Sequence, residues 1–280
     1  MSAQDPIRVL VIDDSAFSRR TIIRMLEKSP LIEVVGWARD GEEALQKALE
    51  LPLDLITLDL AMPRMDGFTF LRILMSRKPT PVIVISGRGG DQDVFKALDL
   101  GAVDFVAKPT PRATPELATI EQERIRKVHA IRQLRIDNLR DQLSRAPSLL
   151  PQSASAKVAS RVVAIGASTG GPSALMQLFG AFGEAPPCAV FVSQHMPGGF
   201  TRGFAERLAR LTNLRAREAC DGDEPEAGTI LLAPGERHLE FATKGNRVVT
   251  RLAPRTQRDK YAPSVDRMFD SAAKHFGSDL

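Results

Sequence analysis

Hydrophobic residues in the first half of the chain occur in short, uninterrupted runs that are rich in β-branched side chains. Between the runs, apolar residues recur every three or four positions, as on one face of a helix. Continuous apolar strands that alternate with amphipathic helices predict a parallel sheet covered on both faces. The apolar runs are 9–12, 34–38, 55–58, 82–85 and 105–107, and the predicted helices are 15–29, 41–50, 67–77 and 91–100.

The same alternation resumes after residue 160 and predicts a second α/β domain that carries a β-hairpin insertion. Lys244-Gly245-Asn246 is the turn signal between the last two strand-like segments. The predicted strands are 162–166, 188–194, 214–219, 229–235, 238–243 and 247–254, and the predicted helices are 172–182, 201–211 and 264–276.

A long helical pattern over 115–143 separates the two halves. Its beginning is interpreted as the last helix of the first domain, and we expect the remainder to pack on a neighbouring domain, although pairing with another chain or a solvated spacer would fit as well. Residues 144–160 are rich in Ser, Ala and Pro and contain too little apolar surface to order themselves. The predicted organisation is a first domain over 1–130, a linker over 131–160 and a second domain over 161–280.

Composition narrows the class of protein. A chain of 280 residues that is 43% hydrophobic can bury the cores of about two domains. It has neither the roughly 20-residue apolar stretch of a membrane helix nor the order of a signal peptide, so we expect a cytoplasmic protein without membrane insertion. Cys188 and Cys220 are too few for a disulfide framework or a zinc site. The net charge of +4 is weak evidence for nucleic-acid binding.

Polar residues follow the predicted strands of the first half. Asp13 and Asp14 follow the first strand, Asp59 ends the third, Ser86 ends the fourth and Lys108 follows the fifth. Parallel strands bring these positions to one edge, where clustered carboxylates suit Mg²⁺ and a lysine suits an anion. Taken singly, each residue also fits a plainer role: helix cap, loop acid or surface cation.

The stretch "VVAIGASTGGPSAL" raises a choice between two kinds of site. Residues 166–170 fit the G-x-S-x-G nucleophile pattern, whereas the same glycines resemble a phosphate-binding loop that lacks its lysine. Ser168 and His195 each follow an apolar strand, so they can meet as a nucleophile and its base. The plainer alternatives are that Ser168 caps the helix ahead of Pro172 and that His195 is a hydrogen-bonded loop residue.

The segments "VLVIDDSAFSRR", "LITLDLAMPRMDGFTFL", "VIVISG" and "GAVDFVAKP" are similar to the receiver domains of response regulators, which have a flavodoxin-like fold with a five-stranded parallel sheet. The resemblance implies that a histidine kinase phosphorylates Asp59. It also implies that Mg²⁺ binds Asp13, Asp14, Asp59 and the main-chain carbonyl of Ala61. The residues implied to respond to the phosphoryl group are Ser86, Lys108 and Phe105.

The segments "VVAIGASTGGPSAL", "VSQHMPGGFTRGFAERL", "ILLAPGERHLE" and "YAPSVDRMFDSAAKHFG" resemble the CheB family of chemotaxis protein-glutamate methylesterases. The resemblance implies a doubly wound α/β catalytic domain with Ser168 as nucleophile, His195 as base and Thr169 beside them. The implied substrates are γ-glutamyl methyl esters and certain glutamines of chemoreceptors, with no cofactor for the esterase. It further implies that phosphorylation of Asp59 removes the receiver and linker from the Ser168 crevice.

One part of the family pattern is not found. The family's triad carboxylate lies in a T-G-M-G-x-D-G segment, and this sequence ends first, at "KHFGSDL". Asp266 matches a different motif, and neither it nor Asp259 or Asp279 takes the triad position. We therefore expect a truncated chain with a low esterase rate. Two other classes remain: a catalytically silent receptor-binding adaptor, and a DNA-binding response regulator, which would need a helix-turn-helix instead of strand-helix units.

Overall fold

The computed structural model describes residues 5–86, 91–108, 125, 127–130, 159, 161–182, 186–212 and 214–280. The chain divides into two compact units, residues 1–145 and residues 146–280. Of the long helix predicted over 115–143, residues 125 and 127–130 are described, and they are helical. The predicted linker lies outside the described residues except for Ala159.

The first unit contains a five-stranded parallel sheet with strand order β2-β1-β3-β4-β5. All five strands coincide with apolar runs of the sequence, which confirms the predicted sheet. The strands are β1 (Ile7–Ile12), β2 (Ile32–Ala38), β3 (Leu55–Asp59), β4 (Val82–Ser86) and β5 (Asp104–Ala107).

Four helices follow the first four strands of this sheet. Each of the first three begins at a capping side chain: the Ser15 hydroxyl, the Asp40 carboxylate and the Asp66 carboxylate accept hydrogen bonds from backbone N–H groups of the first turn. The caps explain why these helices start where polar residues interrupt the apolar pattern. The helices are α1 (Ala16–Leu26), α2 (Gly41–Glu50), α3 (Gly67–Arg77) and α4 (Asp91–Asp99).

The order of the strands determines where a site can form. Strand β1 lies between β2 and β3, and β1 pairs in parallel with both. The chain thus winds to one side of β1 and then to the other, which opens a crevice beyond the carboxyl ends of β1 and β3. The interior below it is dry, because Val9, Leu55 and Leu58 have no exposed surface.

The second unit contains a four-stranded parallel sheet with strand order β6-β7-β9-β8. Its strands are β6 (Arg161–Ala167), β7 (Cys188–Gln194), β8 (Arg215–Glu218) and β9 (Thr229–Leu232). Its helices are α5 (Gly171–Gly180), α6 (Phe200–Leu211) and α7 (Val265–Phe276). This parallel architecture, with no helix-turn-helix among the residues described in this unit, argues against the DNA-binding alternative.

The predicted hairpin is present. Strand β10 (Arg237–Lys244) pairs antiparallel with β11 (Arg247–Pro254), and the two-residue turn between them is Gly245-Asn246. An aromatic cluster of Phe191, Phe241 and Phe276 joins β7, β10 and α7 in one core. The hairpin and the last helix are therefore packed on the parallel sheet as one structure.

Across both units, none of the described helices combines the length and hydrophobicity needed to cross a membrane.

Candidate functional site

The first unit brings three carboxylates together at the crevice between β1 and β3. Oxygen atoms of Asp13, Asp14 and Asp59 all lie within 4.8 Å of one another. Asp13 and Asp59 are buried, while Asp14 is exposed. The Lys108 ammonium lies 2.5 Å from Asp59 Oδ2 and 3.5 Å from Asp13 Oδ2. These four residues, predicted from the ends of three strands, thus form one charged cluster.

The electrostatics of this cluster are set by burial and by the lysine. Burial raises the pKa of Asp59, and the charge of Asp13 adds to the rise, whereas the hydrogen bond from Lys108 opposes it without cancelling it. For Lys108, burial acts to lower the pKa, but the hydrogen bond and charge of Asp59 outweigh it and the pKa is raised. Asp59 therefore favours the charged form of Lys108, while Lys108 offsets only part of the cost of charging Asp59 in this buried site.

Asp13 is oriented by the start of α1. Its carboxylate accepts hydrogen bonds from the Ser15 N–H at 2.9 Å and from the Ser18 hydroxyl at 2.6 Å. Arg19 donates to the Asp13 carbonyl at 2.7 Å. The N-cap of α1 is Ser15, so the interpretation of Asp13 as a helix cap is wrong. Its bonds to the start of the helix instead fix its carboxylate at the crevice.

The other predicted residues of this unit surround the cluster at different depths. Ser86 is buried at the end of β4, and its carbonyl accepts the Lys108 N–H at 2.6 Å. Ala61 is exposed, and its N–H donates to Asp59 Oδ1 at 3.4 Å. Phe105 is buried, with only 1% of its surface exposed.

Lys127 holds Phe105 and was missed by sequence reasoning. Its ammonium donates to the Phe105 carbonyl at 2.7 Å and to the Asp104 carboxylate at 2.9 Å. The ammonium also lies 5.3 Å from the centre of the Phe105 ring. A lysine in a charged helix gives no signal of burial, so only the folded structure identifies this contact.

The second unit brings Ser168 and His195 together. Their strands are neighbours in register, with Ala167 opposite Gln194, so the next residue of each leaves the sheet at the same edge. The Ser168 Oγ atom lies 3.1 Å from His195 Nδ1. Ser168 is exposed, His195 is half-buried, and Thr169 is half-buried beside them. This is hydrogen-bond distance for a nucleophile and its base.

Two alternatives for this loop, Ser168 as a helix cap and the glycines as a phosphate-binding loop, are not supported by the structure. The N-cap of α5 is Gly170, at a φ of 75°, and Ser168 lies outside the helix. A Cβ atom on Gly171 would lie 1.9 Å from Gln194 Oε1, and one on Gly166 would lie 2.2 Å from a Val265 methyl carbon. These glycines permit close internal packing, so their presence does not require an approaching phosphate.

Gln194 links the two halves of the Ser168–His195 site. Its side chain is 1% exposed, and its amide nitrogen donates to the Ser168 carbonyl at 2.9 Å and to the His195 carbonyl at 3.0 Å. One side chain therefore fixes the separation of the nucleophile loop and the histidine loop. Its only sequence signal is a polar residue at the end of an otherwise apolar strand.

Tyr261 and three aspartates complete the description of this end of the chain. The Tyr261 ring stacks on the His195 ring, with centroids 4.3 Å apart and planes 12° apart. Asp259 lies against His238 and Arg267. Asp266 is exposed in the first turn of α7, and Asp279 is exposed in a final 3₁₀ turn over Gly277–Asp279.

Comparison with known proteins identifies the family of each half of the chain. Residues 163–280 match the family model for CheB methylesterase, and residues 9–118 match that for the response regulator receiver domain. The chain is 50% identical over 292 residues to protein-glutamate methylesterase/protein-glutamine glutaminase 3 of Geobacter sulfurreducens, covering 97% of this chain and 79% of that protein. It is 46% identical over 278 residues to protein-glutamate methylesterase/protein-glutamine glutaminase 1 of Myxococcus xanthus, covering 99% of this chain and 79% of that protein.

Among solved structures, the chain is similar to the methylesterase catalytic domain of Thermotoga maritima CheB, with 35% sequence identity and a TM-score of 0.41. That match covers 44% of this chain and 65% of the other. The relatives from Geobacter and Myxococcus align over nearly the whole chain, through the receiver and the methylesterase regions alike. The chain therefore belongs to the CheB family of protein-glutamate methylesterase/protein-glutamine glutaminases, hydrolases that carry a receiver domain ahead of a methylesterase domain.

Proposed function

We propose that this protein removes methyl groups from γ-glutamyl methyl esters of chemoreceptors, and deamidates receptor glutamines, under the control of phosphorylation at Asp59. The observation that carries the proposal is the 3.1 Å contact between Ser168 Oγ and His195 Nδ1 at the carboxyl edge of a parallel sheet. The proposed domains are a receiver over 1–130, a linker over 131–160 and a catalytic domain over 161–280. The reaction is proposed to take place in the cytoplasm.

The chemistry follows from this pair. A serine hydroxyl is a poor nucleophile until a neighbouring imidazole accepts its proton, and His195 Nδ1 is positioned to do so. Ser168 Oγ then attacks the ester carbonyl, and His195 returns the proton to the departing methanol. Water attacks the resulting acyl-enzyme in the same way and releases glutamate. With a glutamine substrate, ammonia leaves instead of methanol.

The start of α5 supports the negative charge of the tetrahedral intermediate. The helix begins at Gly171, three residues after Ser168, so the positive end of its dipole lies beside the reacting centre. Thr169, half-buried next to the nucleophile, is proposed to line the substrate pocket. The pair needs no metal ion for these steps, and we propose no cofactor for the esterase.

In the first unit, Asp59 is the proposed acceptor of a phosphoryl group from a histidine kinase. Asp13, Asp14, Asp59 and the Ala61 carbonyl are proposed to hold Mg²⁺, whose hard charge suits an all-oxygen site and neutralises phosphoryl oxygens. Lys108, now bonded to Asp59 Oδ2, is within reach of those oxygens, and Ser86, at the end of the adjacent strand, is proposed to contact them as well. Phe105 is the proposed aromatic that changes position.

The test is methanol release from methylated receptor membranes, with and without an acyl-phosphate donor. We expect release that rises with the donor, disappears in Ser168→Ala and loses its dependence on the donor in Asp59→Asn. Equal rates with and without the donor would contradict the regulatory part. Receptor binding without methanol release, unchanged in Ser168→Ala, would favour the silent adaptor.

A further inference from the structure

The loop between β11 and α7, residues 255–263, passes over the Ser168–His195 site, and we call it the strap. Its tip carries Tyr261, whose ring lies parallel to the His195 ring at a centroid distance of 4.3 Å. The Ala262 carbonyl accepts the Glu236 N–H at 3.3 Å, which ties the strap to the loop after β9. The face of the imidazole that Tyr261 covers is thereby closed to substrate.

The strap is anchored on the protein interior by Asp259. The Thr256 N–H and hydroxyl both donate to Asp259 Oδ2 at 2.7 Å and close a turn within the strap. The same oxygen lies 3.1 Å from Nε2 of His238, a residue with no exposed surface. Arg267 of α7 lies 3.3 Å from the other carboxylate oxygen. The hydrogen bonds from Thr256, together with His238, hold the pKa of Asp259 well below its usual range.

His238 is fixed from its other side as well. Its Nδ1 accepts the Ser264 N–H at 3.1 Å, while its Nε2 lies 3.1 Å from Asp259 Oδ2. His238 is thus held between Ser264, which directly follows the strap, and Asp259 within the strap. Tyr261 lies two residues from Asp259 and three from Ser264, which leaves its backbone little freedom to move away from His195.

We propose that Tyr261 is a positioning residue for His195. The imidazole turns about two single bonds, and Nδ1 accepts the Ser168 proton only when the ring plane contains the direction to Oγ. A stacked ring on an anchored strap holds that plane and excludes other rotamers. The role depends on the ring face and not on the phenol hydroxyl. This inference rests on the proposed function of His195 as the base.

The experiment compares Tyr261→Phe, which keeps the ring face, with Tyr261→Leu, which removes it. Gln257→Ala, at an exposed position of the same strap, is the matched control. One measurement is the rate at which a fluorophosphonate labels Ser168, and the other is kcat and KM for methanol release. We expect Tyr261→Phe and Gln257→Ala to match the parent, and Tyr261→Leu to lose about 10- to 100-fold in labelling rate and kcat at unchanged KM. Asp259→Asn should show a smaller loss in the same direction.

A second measurement reports ring position without any reaction. The chain has four histidines, so the ring resonances of ¹⁵N-labelled His195 can be assigned by their loss in His195→Gln. The Tyr261 ring current should displace these resonances in the parent and in Tyr261→Phe, and the displacement should vanish in Tyr261→Leu while the melting temperature stays close to that of the parent.

The outcomes separate this inference from the proposed function. If Ser168→Ala and His195→Gln abolish labelling but Tyr261→Leu labels at the parent rate, the positioning role is wrong and the function stands. If Ser168→Ala labels and releases methanol as the parent does, the proposed function fails. Unchanged His195 resonances in Tyr261→Leu overturn the positioning role whatever the activity.

Discussion

The two candidate sites occupy the same kind of place and are built in opposite ways. Both lie where neighbouring parallel strands end, Asp13 and Asp59 after β1 and β3, Ser168 and His195 after β6 and β7. The proposed reacting carboxylate of the first unit, Asp59, is only 4% exposed and bonded to a lysine. The proposed reacting hydroxyl of the second, on Ser168, is exposed, and the buried group is the Gln194 amide beneath it.

The difference shows what each reaction requires of the protein. Phosphoryl transfer places charge on groups that must be balanced by other charges, so the first site concentrates four of them within a few ångströms. The proposed ester hydrolysis depends on the direction of the contact between Ser168 and His195, which the fixed loops of the second site maintain. The first site should respond to pH and cations, and the second to small displacements.

The largest expected effects come from two variants, each of which should disable one site and leave the other intact. Ser168→Ala should reduce methanol release by about 10⁴-fold or more, because the covalent step disappears, and should leave phosphorylation of Asp59 intact. Asp59→Asn should abolish phosphoryl labelling and leave fluorophosphonate labelling of Ser168 intact. Radiolabelled phosphoryl transfer and serine labelling measure the two sites separately. Because phosphorylation is proposed to control the esterase, serine labelling is compared without a phosphodonor. Its loss in Asp59→Asn, or loss of phosphoryl labelling in Ser168→Ala, would contradict separate chemistry at the two sites.

The pH dependence of Mg²⁺ binding tests the charged site. Burial raises the pKa of Asp59, so its proton competes with the metal as the pH falls, and affinity should decline by about tenfold per pH unit below that pKa. Trp37, the single tryptophan, can report this binding by its fluorescence. The Arg19 guanidinium connects it to the site, because it lies 4.4 Å from the centre of the Trp37 ring and donates to the Asp13 carbonyl. Asp59→Asn should flatten this pH dependence, and a parent protein whose affinity stays flat as the pH falls from 7 to the ordinary carboxyl value of 3.8 would contradict the assignment.

Displacement tests the directional site. Gln194→Ala removes both hydrogen bonds that join the two loops, and we expect kcat to fall by about 10- to 100-fold while phosphorylation is unaffected. Gly171→Ala should act similarly, because the added carbon would lie 1.9 Å from Gln194 Oε1. Gly180→Ala, at the other end of the same helix, meets nothing within 4 Å and is the matched control. Equal kcat values for Gly171→Ala and Gly180→Ala would show that the spacing of the two loops does not limit the rate.

The smallest expected effect concerns stability in acid. Glu240 of the second unit and Asp59 of the first should contribute to the free energy of unfolding at neutral pH with opposite signs. Burial acts to raise the pKa of Glu240, but Arg251 and Arg267 outweigh it, so the pKa is lowered. Glu240 therefore stabilises the fold above its ordinary value of 4.5, and this stability is lost as the pH falls through the lowered pKa. Asp59, with its raised pKa, destabilises the fold at neutral pH and is relieved by acid.

Denaturant unfolding at pH 7 and pH 3 distinguishes the stabilising contribution of Glu240 from the destabilising contribution of Asp59. Glu240→Gln should lower the free energy of unfolding at pH 7 by about 1–3 kcal/mol, with a smaller difference at pH 3. Asp59→Asn should raise it at pH 7. A Glu240→Gln penalty of the same size at both pH values would assign the effect to packing and not to charge.

Sequence patterns predicted most of the fold because strands that are buried on both faces appear in the sequence as uninterrupted apolar runs. Helices α2 and α3 occupy the predicted residues, since Asp40 and Asp66 mark their starts. Helix α1 ends at Leu26, three residues before the predicted end, where the chain turns into β2 without an apolar signal. Ser168 and His195 were found because strand ends converge at one edge. Gln194, Lys127 and Tyr261 were missed because their roles depend on partners 22 or more residues away.

The amide of Gln194 has a consequence for the lifetime of the protein. Both contacts require N–H donors, because the Ser168 and His195 carbonyls are acceptors. Spontaneous deamidation would turn the donor into a carboxylate facing two acceptors, and a single lost nitrogen would push the two loops apart. Burial of this side chain keeps water away from it. A protein proposed to hydrolyse glutamine amides thus shelters one of its own directly beneath its nucleophile, where its loss would disturb both loops at once.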